Sequence, residues 1–376
     1  MTTANFVNYH VLISHSPSCL NRDDMNMQKT AVFGGRSRVR ISSQSLKRAM
    51  RTSPYYQQNL GAPSVRTRDL GLLNDCFAER LKDRYPAELV GQAITLLSGK
   101  EGIAAGTDAD AVAPWSVEEV GYFCGLIAEG ESEPKQLEKR IQKEGAGFRA
   151  AMSKAIDIAL SGRMATSGLM TQLAADGALA VAHAITTHTV APQDVDWFTA
   201  VDDLTQDAGE TGAGHLNTQQ FSAGVFYRYA SLNLRQLQLN LGLIPTIDAP
   251  ETAQSRARAL EIGGHVLHLL ATVVPSAKQQ SFAAHNPADF AIVSLADQPI
   301  SLANAFEKPV DADKRSGGYL APSIEELTGY WSRLNRAFDL KEQARAFSSR
   351  GGQFGEIAVF DRLADLEHWV IQDGRD

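Results

Sequence analysis

The chain has 376 residues, 44% of them hydrophobic and 21% charged, with a formal net charge of −7. That length can bury a large core and suggests two domains, or one domain carrying a large insertion. The composition is that of a globular protein, no apolar run reaches the length of a bilayer span, and the acidic balance argues against a surface basic all over for nucleic acid.

The cysteines, Cys19, Cys76 and Cys124, are odd in number and widely spaced. They fit a reducing cytoplasm and form no thiolate zinc pattern. The opening MTTANFVNYHVLISHS lacks a basic segment before its apolar stretch, so a signal peptide is not expected. Within it, NFVNYHVLIS is short and rich in β-branched and aromatic residues, which predicts a strand. HSPSCLNRDDMNMQKTAVFGGRS reads as a polar loop, with Pro17 early and Gly34-Gly35 late. Arg38 to Ile41 reads as a strand end, Ser42 or Ser43 as an N-cap, and Gln44 to Arg51 as a helix stopped by Pro54.

RSRVRISSQSLKRAMR, residues 36–51, concentrates Arg36, Arg38, Arg40, Lys47, Arg48 and Arg51 without an acid. From Met25 to Arg68 there are nine Lys and Arg and no Asp or Glu. On a helix, Leu46, Ala49 and Met50 fall on one side, and Gln44, Lys47, Arg48 and Arg51 on the other. A helix N-terminus with the hydroxyls of Ser42 and Ser43 would add phosphate-binding groups. Two readings follow: a solvated face neutralised by acids from elsewhere, or a track for a polyanion, of which nucleic acid is the commonest. The missing acids favour the second. Arg22 and Lys29 in the preceding loop are either further contacts or plain surface charge.

From about 60 to 180 apolar residues recur at three- and four-residue spacing, through LNDCFAERLKDRY, PAELVGQAITLLS, SVEEVGYFCGLIAEG and on to LMTQLAADGALAVAHAI, which predicts a helical insertion. Lys135, Lys139 and Lys143 share a helix face with Arg140 adjacent, but interleaved glutamates favour a solvated, ion-paired helix over a duplex-binding edge. Met164 is either core or an exposed apolar finger, and Arg163 beside it is a candidate phosphate contact. Trp197-Phe198 lies among aspartates; the pair either packs onto its own domain or wedges between bases.

Beyond about 222, GVFYRYASLNLRQL predicts a strand, ETAQSRARALEIGGHVLHLLATVV an amphipathic helix, ADFAIVSLA a strand, then a mostly polar segment and a last helix, FDRLADLEHWVIQD. Strands flanking a helical block give an α+β class, and a βαββαβ arrangement satisfies the order. No P-loop or H-E-x-x-H motif occurs. Asp23-Asp24 is a weak metal candidate, since adjacent acids point apart on most backbones.

NYHVLISHSPSCLNRDDMNMQKTAVFGGRSRVRISSQSLKRAMR resembles the start of the CasC family, the RNA-binding backbone subunits of type I-E CRISPR Cascade complexes. IALSGRMATSG, AHAITTH, DVDWFTAVDDL, QFSAGVFYRYA and NPADF match the same pattern, over nearly the whole chain. The resemblance implies an RRM-like (ferredoxin-like) palm in parts (residues 1–59, 181–189 and 223–376 with the C-terminal region), helical fingers at 60–180 and a thumb at 190–222. It implies no enzymatic activity and no cofactor. The partners would be CRISPR RNA, target DNA through guide pairing, further copies of the chain and other Cascade subunits. By motif match Arg22, Lys29, Ser42, Gln44, Lys47, Arg48 and Arg51 would grip guide phosphates. Met164 with Trp197, Phe198 and Thr199 would kink the guide. Lys135, Lys139, Arg140 and Lys143 would help hold target DNA. The residues also admit two rivals: an RNA-cleaving relative using Asp23 or Asp24, and a self-assembling subunit whose basic charge is incidental.

Overall fold

The computed structural model describes residues 4–100, 106–130, 134–143, 151, 154–164, 169, 173–198, 216–315 and 317–375. In chain order, β1 (Phe6–Ser18), β2 (Thr30–Phe33) and β3 (Arg36–Ile41) lead into α1 (Ser43–Thr52) and α2 (Pro54–Leu60). β4 (Val65–Asp69), α3 (Leu70–Leu81), α4 (Ala87–Ser98), β5 (Asp108–Trp115), α5 (Val117–Ala128), α6 (Pro134–Lys143) and α7 (Ile156–Ser161) follow. Then come β6 (Leu179–Val181), β7 (Ala184–Thr186), β8 (Gln193–Phe198), β9 (Leu216–Asn233), α8 (Leu234–Asn240) and α9 (Ala253–Thr272). β10 (Phe290–Ala296), α10 (Leu320–Phe338), β11 (Gln343–Ser348), β12 (Ala358–Phe360) and α11 (Leu363–Ile371) follow, with short helical turns at Gln279–Phe282 before β10 and Ala303–Phe306 after it.

The main sheet runs β12-β11-β10-β1-β9-β7-β3-β2, with β6 and β8 also paired to β9. It is mixed: β11 and β12 are parallel, and the other pairs are antiparallel. Alternation along β1 sorts its side chains between two cores. Val7, Tyr9, Val11 and Ile13 face a core shared with α9 and α11. Leu12 faces a second core shared with α10 and Phe306. Helices thus cover both faces, so FAIVSLA of β10 is buried at every position and has no polar side to alternate. The polar residues on the second face of β1 are satisfied. Asn8 Oδ1 accepts from Tyr229 Oη at 3.2 Å, and His10 Nδ1 lies 2.8 Å from Tyr227 Oη. A third core, with Leu73, Phe77, Ile94, Phe123 and Ile158, fills the helical lobe.

Several expectations change. Pro54 does not merely stop a helix: it opens α2 at its first position, with Ser53 Oγ capping Tyr56 N at 3.1 Å. A proline is tolerated there because its missing N–H has no intrahelical partner. β2 lies inside the stretch read as loop, and β4 pairs with β5 inside the block read as helical. The end of LMTQLAADGALAVAHAI is not helix; β6 and β7 pair with β9, so tertiary pairing overrides the helical spacing. GVFYRYASLNLRQL divides at Asn233, whose side chain caps α8 through Gln236 N at 2.9 Å. The mostly polar segment holds α10, β11 and β12. In α10 the buried set is Leu320, Ser323, Ile324, Leu327, Thr328 and Trp331, so Ser and Thr dilute the apolar period. Their hydroxyls are absorbed by backbone, Ser323 Oγ donating to Tyr319 O and Thr328 Oγ1 to Ile324 O. Among the described residues no helix is long and apolar enough to cross a membrane.

Candidate nucleic-acid interface

β3 pairs with β7 through Arg40–Ile185 and Ile41–Ala184, which brings His183 to the start of α1. There Ser42 Oγ accepts from Ser45 N at 3.2 Å, Ser42 N donates to Asn21 Oδ1, and Ser43 N donates to His183 Nδ1 at 3.0 Å. The expected phosphate cradle is therefore revised. Ser42 is buried and spent as a cap, and His183 takes one of the N–H groups that end-on anion binding would use.

Leu46 and Met50 anchor α1 in the core and turn Gln44 and Arg48 to solvent, with Lys47 and Arg51 half-buried at the edge. Among the described residues no carboxylate is in ion-pair distance of Lys47 or Arg48. Burial holds the Lys47 amine below its ordinary pKa, and the charge of Arg66 pushes it the same way. Arg51 is also lowered, by burial first and then by Arg66, with Asp157 opposing.

Arg51 differs from its neighbours. Its Nη1 donates to Ser64 O at 2.8 Å and its Nε lies 4.0 Å from Asp157 Oδ2, so the side chain also stitches α1 to α7. Arg38 is not on the surface: fully buried, it donates to the carbonyls of Thr186, Phe306 and Glu307. Arg22 and Lys29 are half-buried on a loop closed by an Arg22–Gln28 bridge, and Arg22 is tied to Asn26. Asp23 Oδ1 accepts from Met25 N and Met27 N, so it holds the turn of this loop. Gln28 N donates to Gln220 Oε1 at 3.3 Å, docking the loop on β9.

β8 and the outer end of β9 form a two-stranded ribbon, from Gln193–Phe221 to Phe198–Leu216. The backbone of Trp197 and Phe198 lies on β8, whereas their side chains and the whole of Thr199 fall outside the described residues. Met164 is 86% exposed, so it is not a core residue. Arg163 points the other way. Its Nη1 and Nη2 bind the two carboxylate oxygens of buried Glu119 at 2.8 Å each, and it donates to Leu173 O, so it faces no phosphate. On α6, Lys135 and Lys139 are exposed, Arg140 pairs with Glu129 at 3.4 Å, and the Lys143 side chain lies outside the described residues. For Arg140 the ion-paired reading is the better one.

The sequence reading missed Arg66 and His183. VRTRD alternates apolar or small with charged residues, the period of a half-buried strand, and that signal marks Arg66 as outward-facing.

A family model described as CT1975-like protein matches residues 7–369. The chain belongs to the CT1975-like protein family. No curated protein matches this family member. Its fold is similar to a chain of a solved structure described as a CRISPR RNA-guided surveillance complex, pre-nicking. That likeness has a TM-score of 0.76 and 27% identity, covering 98% of this chain and 100% of the other. A second structure, described as a CRISPR RNA-guided surveillance complex, aligns with a TM-score of 0.59 and 24% identity over 98% of this chain and 100% of the other, a likeness of fold.

Proposed function

We propose that this CT1975-like protein is a CasC-like backbone subunit of a type I-E Cascade complex in CRISPR antiviral defence. It binds the CRISPR RNA by its phosphates, so any guide sequence is accepted, and base pairing reads the target DNA. Copies of the chain stack head to tail along the guide, an open heterologous assembly, together with other Cascade subunits in the cytoplasm. It binds without chemistry of its own.

The observation that carries this reading is the α1 surface: Lys47 and Arg48 without a carboxylate partner among the described residues, in a chain of net charge −7. A local cationic surface that the protein's own acids do not neutralise attracts a polyanion even on an acidic body. The family and the likeness to a surveillance-complex chain support the same conclusion. An RRM-like palm agrees with the inner strand order β10-β1-β9-β7, with α1 and α2 between β1 and β7 and α9 between β9 and β10. The palm would comprise 1–59, 181–189 and 223–376, the fingers 60–180 and the thumb 190–222, whose base is the β8–β9 ribbon.

In this reading Gln44, Lys47 and Arg48 hold the guide directly, with Arg22, Lys29 and Arg51 at its margin and Ser42 shaping the helix start. Met164, Trp197, Phe198 and Thr199 kink the strand, and Lys135, Lys139 and Lys143 hold target DNA. The test is the double variant Lys47→Glu/Arg48→Glu, purified as the assembled complex. The expected result is loss of the small RNA with the fold retained by circular dichroism. Normal RNA content would refute the assignment.

A further inference from the structure

We propose that Arg66 and the cavity beside it form a one-nucleotide site linking the cationic face of α1 to Met164. The proposal rests on the guide-binding reading above and adds a contact on the helical lobe. In the β4–β5 ribbon Arg66 lies opposite Pro114 and Thr67 opposite Ala113. The register shifts beyond Thr67, and Arg66, Pro114 and Val112 all border one hollow. These residues and the loop at Gly162–Met164 border an open hollow of about 680 Å³, roomy enough for one nucleotide.

The walls suit a base. Val112 is 64% exposed and Met164 86%, two large apolar side chains held in water on the rim of one cavity. A thioether makes favourable contact with an aromatic ring, and an aliphatic side chain can lie against a base as an apolar wedge. The floor is backbone, because Gly162 and Gly177 pack chain against chain. A Cβ on Gly162 would meet Gly177 N at 2.7 Å, so no side chain fits there. Arg163, locked to Glu119, fixes the residue next to Met164.

The phosphate end is Arg66. It is exposed, and among the described residues it has no acidic partner, whereas Arg68 on the same face of β4 pairs with Asp108 at 3.3 Å. Arg66 stands two residues beyond Ser64, whose carbonyl holds Arg51. That separation is about 7 Å along a strand. Arg51 in turn is one helical turn from Lys47. The cations therefore run continuously from α1 onto β4 and end at the cavity. Asp176 also lines the cavity, which excludes a phosphate from that side and leaves the Arg66 side for it.

The test measures binding of labelled oligouridylate, and of an abasic oligomer of the same length, across a salt series. Arg66→Gln and Val112→Ser are compared with the native chain, with folding checked by circular dichroism. Arg66→Gln is expected to weaken both ligands and to reduce the slope of log affinity against log salt by about 0.7, one phosphate's share. Val112→Ser is expected to weaken oligouridylate about threefold and to leave the abasic oligomer unchanged. An unchanged slope for Arg66→Gln, or equal weakening of both ligands by Val112→Ser, overturns the site. If Lys47→Glu/Arg48→Glu abolishes binding while Arg66→Gln keeps the native slope, only this site fails. If the double variant still binds, the guide-binding reading fails with it.

Discussion

Consider Arg163→Met, a change that separates a structural cation from a ligand-binding one. The Arg163 side chain is fully buried and Glu119 is 4% exposed, and the pair shares two hydrogen bonds of 2.8 Å. Arg163 also satisfies Leu173 O through Nε and Nη2. Methionine fills similar volume, so the loss is dominated by a carboxylate left without its cation, about 3–5 kcal/mol. One further carbonyl without a donor adds about 1 kcal/mol. Against a typical total stability of about 5–15 kcal/mol, that is a large fraction. Glu119 also accepts from Ser116 N at the start of α5, so its displacement would loosen a helix cap as well. The assay is urea denaturation of the native chain, Arg163→Met and the double variant Arg163→Met/Glu119→Gln. The double variant should recover about half or more of the loss, because a neutral amide tolerates burial better than an orphan charge. In parallel, the salt dependence of oligouridylate binding should keep its native slope, since Arg163 reaches no phosphate. A destabilisation under 1 kcal/mol, or a slope reduced by about 0.7, would refute the reasoning.

Two other outcomes follow from packing and burial. Gly34 has φ +59° and a Cβ there would overlap the Glu307 carbonyl, while Gly35, at φ +69°, has open space around it. Gly34→Ala should therefore cost about 2–4 kcal/mol, strain plus overlap, and Gly35→Ala about 1 kcal/mol for strain alone, as read from thermal melts; equal effects would contradict the docking of this turn. His10 and His15 are lowered from 6.5 to about 3, and His188 to about 4, chiefly by burial. Depressed pKa values mean that the unfolded chain binds more protons, so this stability is full above pH 6.5 and falls as pH drops toward 4. At pH 5 the loss is about 2 kcal/mol for each histidine, and urea midpoints at pH 7.5 and pH 5 should differ accordingly, less so in His188→Gln.

The strands and helices with a clean period were legible: β1, β10, α9 and α11 appear where alternation or three- and four-residue spacing places them. The elements that escaped share a physical cause. β6 and β7 exist because the long strand β9 offers them partners, which no local window contains. α10 buries a serine and a threonine whose hydroxyls bond to its own backbone, so its apolar face is incomplete in sequence. At the site, helical geometry was enough to separate Leu46 and Met50 from Gln44 and Arg48, because both sets lie on one short helix. It was not enough for Arg38, Arg51 or Arg163. Whether a cation meets solvent depends on carbonyls and acids far away in sequence, here Phe306, Ser64 and Glu119. The same limit hid Arg66, whose relevance comes from Arg51 and Ser64 meeting in space.

In the proposed reading, the cations of α1 and β4 bear on how an acidic chain binds nucleic acid selectively. Arg66 lowers the pKa of both Lys47 and Arg51, so in the free chain these cations repel one another, with Asp157 offsetting part of the repulsion at Arg51. An incoming phosphate converts that repulsion into attraction from several sides. The same strand approaching the rest of a body of net charge −7 meets net repulsion, screened only beyond about 8 Å at physiological salt. Discrimination between the one path and all others is then a difference of two opposed terms, larger than either alone. A uniformly basic protein would bind the strand in many registers and orientations. A cationic strip on an acidic body fixes the path while leaving the bases unread. Sequence-independent binding in a defined register needs that combination: no discrimination among letters, and strong discrimination among positions on the protein.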